Sequence, residues 1–254
     1  KVGDIVATLR SFPRDYGNPP PMLLGNQIDE DFMWLFGFMF GDGWVTEWKK
    51  SHRDRFGKQR DDWVSSSDFA ICIAKSIYPE LDAKVAKAVE KWFGRKPKQT
   101  AFGYIRLDYN EGGRELRRLG FVGKAKTKRI PLWVFNLPAM HKVAFLQGLV
   151  DADGHKIKIG KAYRLGLSNQ ELVEDTRLLA LECGVRPTSL RESFQIVQPP
   201  HSKAPIESFC YGTDLVFDDT LGSKQLAPFQ SSTLRFERIT EITPDAPCKV
   251  YDLA

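Results

Sequence analysis

Apolar residues along this chain fall into runs of two kinds. From Asp29 to Gly41 nearly every position is apolar and the acids stand at the front, so Asp29 and Glu30 mark the start of a predicted helix where its dipole favours carboxylates. Residues 76–93, SIYPELDAKVAKAVEKWF, space their apolar positions with the period of 3.6 that predicts a second helix. WVTEW (44–48) is a short apolar stretch, FAICIA (69–74) and AFGYIRLDY (101–109) read as strands, and GRELRRLGF reads as a helical turn. Residues 11–27, rich in Pro, Gly and Asn, read as an irregular connector.

The same plan follows again. A helix is predicted from about Met140 to Ala152, then a hairpin over HKIKIGKAYRLGLS (155–168) with Gly160 near its turn. The helix QELVEDTRLLALECG (170–184) ends at Gly184. Strands near 188–198 and 206–211, a helical segment near 214–221 and the loop LGSKQLAP (221–228) complete the half. A duplication of about 110 residues is too long for a solenoid repeat and fits two fused half-domains.

The duplication shows most clearly in WLFGFMFGDG (34–43) and FLQGLVDADG (145–154). Gly37 and Gly41 in one, and Gly148 and Ala152 in the other, lie four apart and share a helical face. Small residues there let two helix backbones approach closely. Helices packed through these faces bring Asp42 and Asp153 together at their C-terminal ends, where both the dipole and mutual repulsion disfavour carboxylates. A hard divalent cation with oxygen ligands answers that charge. Taken singly, each Asp-Gly is also a plain helix stop with Gly left-handed.

Composition adds context. With 254 residues and 42% hydrophobic content the chain can bury a core, as one large domain or two small ones. Its 37 Lys+Arg against 32 Asp+Glu suit a polyanionic partner, although charge alone favours the plainer reading of a mildly basic protein. Cys72, Cys183, Cys210 and Cys248 are scattered, with no spacing suited to zinc, and read as free thiols of a reducing compartment. No leader opens the chain and no run reaches the ~18 apolar residues of a membrane span. The expected location is therefore intracellular, in cytoplasm or nucleoid.

Residues 35–43 (LFGFMFGDG) and 146–154 (LQGLVDADG) resemble the paired LAGLIDADG motifs of homing endonucleases. The second copy matches closely, and the first carries Phe40 where the family motif has its first Asp. KTKRIPLWV (126–134) resembles the K-x-I-P block of intein-encoded members, and LSNQELVEDTRLLALECGV (167–185) resembles the helix after the second motif. KVGDIV at the start and CKVYDLA at the end resemble strands of an intein splicing domain. The Cys or Ser and the His-Asn pair that splicing requires do not stand at the two ends, so this chain is not expected to splice by itself.

The resemblance implies an α+β fold of two pseudo-symmetric LAGLIDADG half-domains. Each is a helix-backed antiparallel sheet, the sheets form a DNA-binding saddle, and the motif helices pack at the interface. The expected divisions are residues 1–27 (strand and connector), 28–135 and 136–233 (half-domains), and 234–254 (strands). It implies a monomer that makes a double-strand break in a long asymmetric DNA site by Mg²⁺-dependent phosphodiester hydrolysis, with Mn²⁺ as a substitute ion and four-base 3′ overhangs. The metal ligands carried over are Asp42 and Asp153, with the carbonyls of Gly41 and Ala152, while Asp151 is not carried over. Lys128 is the active-site lysine of the K-x-I-P block, and pseudo-symmetry adds Lys224. The non-catalytic alternative is a decayed member kept for nucleic-acid binding, as a maturase or DNA-binding regulator. A ribbon of two strands fits the DNA major groove, where Lys and Arg hold phosphates or read guanine. The candidates for contact are Lys49, Lys50, Arg53, Arg55, Lys58 and Arg60 after the first motif, and Arg106 on the later strand. In the second half they are His155, Lys156, Lys158, Lys161, Arg164, Arg191 and Gln195.

Overall fold

The computed structural model describes residues 5–9, 19–49, 67–76, 78–101, 103–157, 162–197, 206–217 and 234–238. Strand β1 (Ile5–Leu9) pairs antiparallel with β13 (Leu234–Arg238), the last strand among the described residues. Within the stretch read as an irregular connector, β2 (Met22–Leu23) and β3 (Asn26–Gln27) form a minimal hairpin. Its turn residues Leu24 and Gly25 both take positive φ, the backbone that a two-residue hairpin turn demands.

Helix α1 (Glu30–Asp42) begins where Asp29 accepts a hydrogen bond from the amide of Phe32 at 2.9 Å, and Glu30 and Asp31 face the positive end of its dipole. Every residue from Phe32 to Phe40 is buried. The sequence is apolar all round because the helix is enclosed all round. Phe32 meets Trp92 of α2 (Pro79–Phe93), and Phe36 and Phe40 meet Phe121 and Phe145. Strands β4 (Gly43–Lys49), β5 (Ser67–Ala74), β6 (Lys98–Gln99) and β7 (Tyr104–Asp108) form an antiparallel sheet in the order β4-β5-β7-β6. Helix α3 (Asn110–Arg118) packs on its inner face, where Gly113 leaves room for the ring of Phe69.

After the short α4 (Leu132–Phe135), α5 (Ala139–Asp153) leads into a second sheet. It consists of β8 (Gly154–Lys156), β9 (Ala162–Leu167), β10 (Arg186–Pro187), β11 (Arg191–Val197) and β12 (Ile206–Val216). Their path is β8-β9-β12, and β12 also pairs with both β10 and β11. The order β4-β5-β7-β6 in the first sheet thus recurs as β8-β9-β12-β11 in the second. Helix α6 (Gln170–Glu182) starts on Asn169, packs on this sheet, and is followed by Gly184 in a left-handed conformation, φ 79°.

Three boundaries depart from the sequence pattern. Helix α2 begins at Pro79 rather than 76, because proline suits the first helical position and disfavours helix before it. Strand β7 begins at Tyr104, after Gly103 at φ 78°. The helical segment expected near 214–221 is strand as far as Val216, since Tyr211–Val216 pair residue by residue with β9; residues 218–221 lie outside the described residues, as does Gly160. Cys72, Cys183 and Cys210 are free thiols, and Cys248 lies outside the described residues. Among the described residues no helix is long and apolar enough to cross a membrane.

One core spans both sheets, and α1 against α5 is its most extensive contact. A methyl group on Gly37 would overlap the carbonyl of Phe145, and one on Gly148 would overlap the carbonyl of Trp34. The helices therefore cross backbone to backbone at their glycines. Gly148→Val is expected to lower stability by about 3 kcal/mol or more, since a side chain must force two helix backbones apart. A denaturant midpoint unchanged from wild type would contradict this crossing.

Candidate functional site

The crossing carries both helices to a common end. Asp42 is the last residue of α1 and Asp153 the last of α5. Gly43 and Gly154 follow in extended conformation, with φ of −104° and −96°, so neither is a left-handed stop. Glycine is needed here for space: a Cβ at Gly43 would lie 2.7 Å from Met39 Cα, and one at Gly154 would lie 2.6 Å from Val150 O. Each helix passes straight into a strand, β4 or β8, with its aspartate at the junction. Gly41 and Ala152 sit at the contact, where a Cβ on Gly41 would come within 2.6 Å of Ala152 Cβ and 2.7 Å of Asp153 Oδ2. The Asp153 carboxylate thus lies against the last turn of α1.

Burial raises both carboxyls. Asp42 is pushed up to about 7 by burial first and then by the charge of Asp153, against the pull of Lys128. Burial likewise lifts Asp153, and Lys128 opposes the rise. Among the described residues no hydrogen bond reaches either carboxylate. Lys128 is only 3% exposed, and its ammonium donates to the carbonyls of Met39 (3.1 Å), Phe40 (3.0 Å) and Gly43 (2.6 Å). Three donors meet three acceptors, so the ammonium closes the open end of α1. Burial brings its pKa down to about 8, although Asp153 and Asp42 favour its charge.

The loop bearing Lys128 is fastened to the second half. Asn169, which caps α6 through Leu172 N, donates its amide to the carbonyl of Lys128 at 2.8 Å. Asp175 accepts a two-pronged bond from Arg129 at 2.7 and 2.8 Å and the amide of Ile130 at 3.0 Å. Asn169 and Asp175 lie within the segment that resembles the family's helix after the second motif, but their role in seating Lys128 shows only in contacts across about 40 residues. Asp151 turns away from this cluster and accepts from Trp34 Nε1 at 2.7 Å.

The other candidates spread over the two sheets. In the first, the register aligns Trp44, Cys72, Arg106 and Lys98 in one row across β4-β5-β7-β6. Arg106 is tied to Asp108 at 2.7 Å, and the exposed Trp44 meets Tyr104 edge to face. In the second, one row aligns His155, Arg164 and Asp214, and the next aligns Gly166, Gly212 and Arg191. His155 shares the outer face with Arg164, whereas Lys156, opposite Tyr163, falls on the other face. Gln195 stands opposite Ser208 on β11, and Lys49 ends β4. Lys50, Arg53, Arg55, Lys58, Arg60, Lys158, Lys161 and Lys224 lie outside the described residues. Trp44, Lys98 and Asp214 escape a reading based on basic runs, because cross-strand register alone places them beside the others.

Comparison with known proteins agrees with the motif end of this arrangement. A family profile described as a LAGLIDADG-like domain matches residues 140–203, from α5 through β11. A curated relative, an iron-sulfur cluster assembly SufBD family protein of Mycobacterium leprae, is 32% identical over 161 residues, 63% of this chain. The match spans only 17% of that protein's length. Among solved structures, full-length DUF199/WhiA from Thermotoga maritima aligns over 73% of this chain and 50% of its own, with 13% identity and a TM-score of 0.38. Residues 140–203 are thus similar to a LAGLIDADG-like domain, and the fold is an α+β arrangement of antiparallel sheets and helices.

Proposed function

We propose that this chain is a site-specific DNA endonuclease of the LAGLIDADG type, borne by an intein and working as a monomer of two pseudo-symmetric half-domains. The observation that carries this reading is the pair of half-buried carboxylates, Asp42 and Asp153, ending two helices crossed at glycine distance, with Lys128 beside them. The small share of the Mycobacterium leprae protein that matches supports a module carried within a longer chain.

Two elevated carboxyls without hydrogen-bond donors suit a hard divalent cation, which would replace the missing counter-charge. Asp42 and Asp153, with the carbonyls of Gly41 and Ala152, would hold Mg²⁺ or Mn²⁺. Such an ion would polarise a phosphoryl oxygen and lower the pKa of a water, whose hydroxide would attack phosphorus as the bond to the 3′ oxygen breaks. Lys128 has all three protons committed to carbonyls, so it acts through charge, offsetting the two aspartates and fixing the end of α1. Asn169 and Asp175 keep the Lys128 loop seated. The outer faces of the two sheets would lie along the DNA as a saddle, and their differing side chains would read a long asymmetric site.

Cleavage of a pool of candidate sites, with Mg²⁺ and with EDTA, tests the proposal. Double-strand cuts at one sequence are expected, falling by about 10³-fold in either Asp42→Asn or Asp153→Asn, the loss of several kcal/mol of metal assistance. Specific binding with no cutting in any divalent metal would mark a decayed, binding-only protein.

Protonation gives an independent check. The ordinary carboxyl value of 3.8 rises to about 7 in Asp42, so the folded chain holds this proton more tightly than the unfolded one. Its contribution to stability is full below about pH 4 and is lost as pH climbs to 7. In EDTA, Asp42→Asn should therefore gain thermal stability over wild type progressively across that window, and Mg²⁺ should close the gap at pH 8 but not at pH 5. A gap independent of pH would refute the buried carboxyl. Lys128→Met should tighten Mn²⁺ binding, read by titration calorimetry, while slowing cleavage, because a neighbouring positive charge is gone. Weaker Mn²⁺ binding would show that Lys128 does not set the charge of the site.

A further inference from the structure

The second sheet holds a charged cluster apart from the carboxylate pair. Asp214 is 7% exposed and lies on β12 between two arginines of flanking strands. Arg164, directly opposite on β9, donates Nε to Asp214 Oδ1 at 3.0 Å. Arg191 on β11 stands opposite Gly212, not Asp214, and reaches diagonally to grip both carboxylate oxygens, with Nη1–Oδ2 at 3.1 Å and Nη2 on Oδ1. Gly212 and its partner Gly166 carry no side chain to block that diagonal. The amide of Asp214 is itself anchored by Thr188 Oγ1 at 2.9 Å. Burial works against the charge on Asp214, yet the bonds from Arg191 and Arg164 outweigh it and hold the carboxyl below its ordinary value.

Both arginine side chains remain more than 40% exposed. Among the described residues Arg164 bonds Asp214 through Nε alone, which leaves Nη1 and Nη2 as a donor pair, while Arg191, whose Nη1 and Nη2 both hold Asp214, keeps Nε–H and the outer Nη2–H as its pair. Two parallel N–H donors on a fixed plane match O6 and N7 of guanine in the major groove, a fit that a loose arginine attains only by losing rotamer freedom. A single carboxylate gathers both guanidiniums and holds them side by side on the same face of the sheet. His155 completes the row at the edge strand.

We infer that Asp214 is the specificity-determining positioning residue of the second half, presetting Arg164 and Arg191 to read guanines at adjacent or next-adjacent base pairs of the target. The inference rests on the DNA-cleaving reading above. It assigns guanine to that half-site and a role to an acidic residue that no basic run would suggest.

Selection of bound sites from a randomised DNA duplex pool tests it, with wild type, Asp214→Asn and Arg164→Lys. Wild type is expected to select guanines at two neighbouring positions of one half-site. Replacing either with 7-deazaguanine, which lacks N7, should weaken binding by about 10-fold. Arg164→Lys keeps the charge but not the fork, so it should keep the salt dependence of binding and lose preference at one of the two positions. Asp214→Asn should lose preference at both while the other half-site's selected sequence is unchanged, which also shows that the variant is folded. Specific selection without guanine at neighbouring positions, or guanine preference intact in Asp214→Asn, overturns the inference and leaves the nuclease reading standing. No sequence selected by wild type would overturn both.

Discussion

Everything at the centre of this molecule depends on how closely α1 and α5 can approach. Gly37 and Gly148 each face a carbonyl of the opposite helix, and any side chain at either position would separate the pair. That closeness has an electrostatic cost. It delivers two aspartates to adjacent helix ends, where the dipoles, the burial and their own charges all oppose ionisation. Lys128 relieves part of this strain from within the protein. Its seat is provided in turn by a loop tied to α6, so a residue of the first half is held in place by Asn169 and Asp175 of the second.

Some of this could be read from the chain, and some could not. The motif helices, their shared small-residue faces and the meeting of Asp42 with Asp153 follow from spacing along one helix, which sequence displays directly. Lys128 lies 85 residues or more from the carbonyls it binds, and its motif rather than any pattern of polarity pointed to it. Cross-strand relations were hidden. That Arg164, Asp214 and Arg191 form one cluster requires the register of three strands, and a shift of one residue in β12 would place Asp214 on the opposite face. The same rule separates His155 from Lys156. The end of β12 was hidden for a related reason, since pairing with β9 outweighs any local helical tendency after Thr213.

The two sheets share a strand order but differ in the chemistry of matching rows. Trp44, Cys72, Arg106 and Lys98 form an aromatic and apolar row with cations toward one end, whereas His155, Arg164 and Asp214 form a row built on an ion cluster. The two sheets thus share a backbone plan and differ in surface, and the tightest steric demands lie at the crossing of the helices.

Strands β1 and β13 are hydrogen-bonded neighbours although nearly the whole chain lies between them. Paired strands run about 4.8 Å apart. All that comes between therefore departs from and returns to a single point, as a loop does. A larger sheet that took in these two strands would keep its own hydrogen bonding intact while carrying helices α1 to α6 and both larger sheets as one excursion. A fold closed in this way brings its two outermost described strands to one place, whatever is built between them.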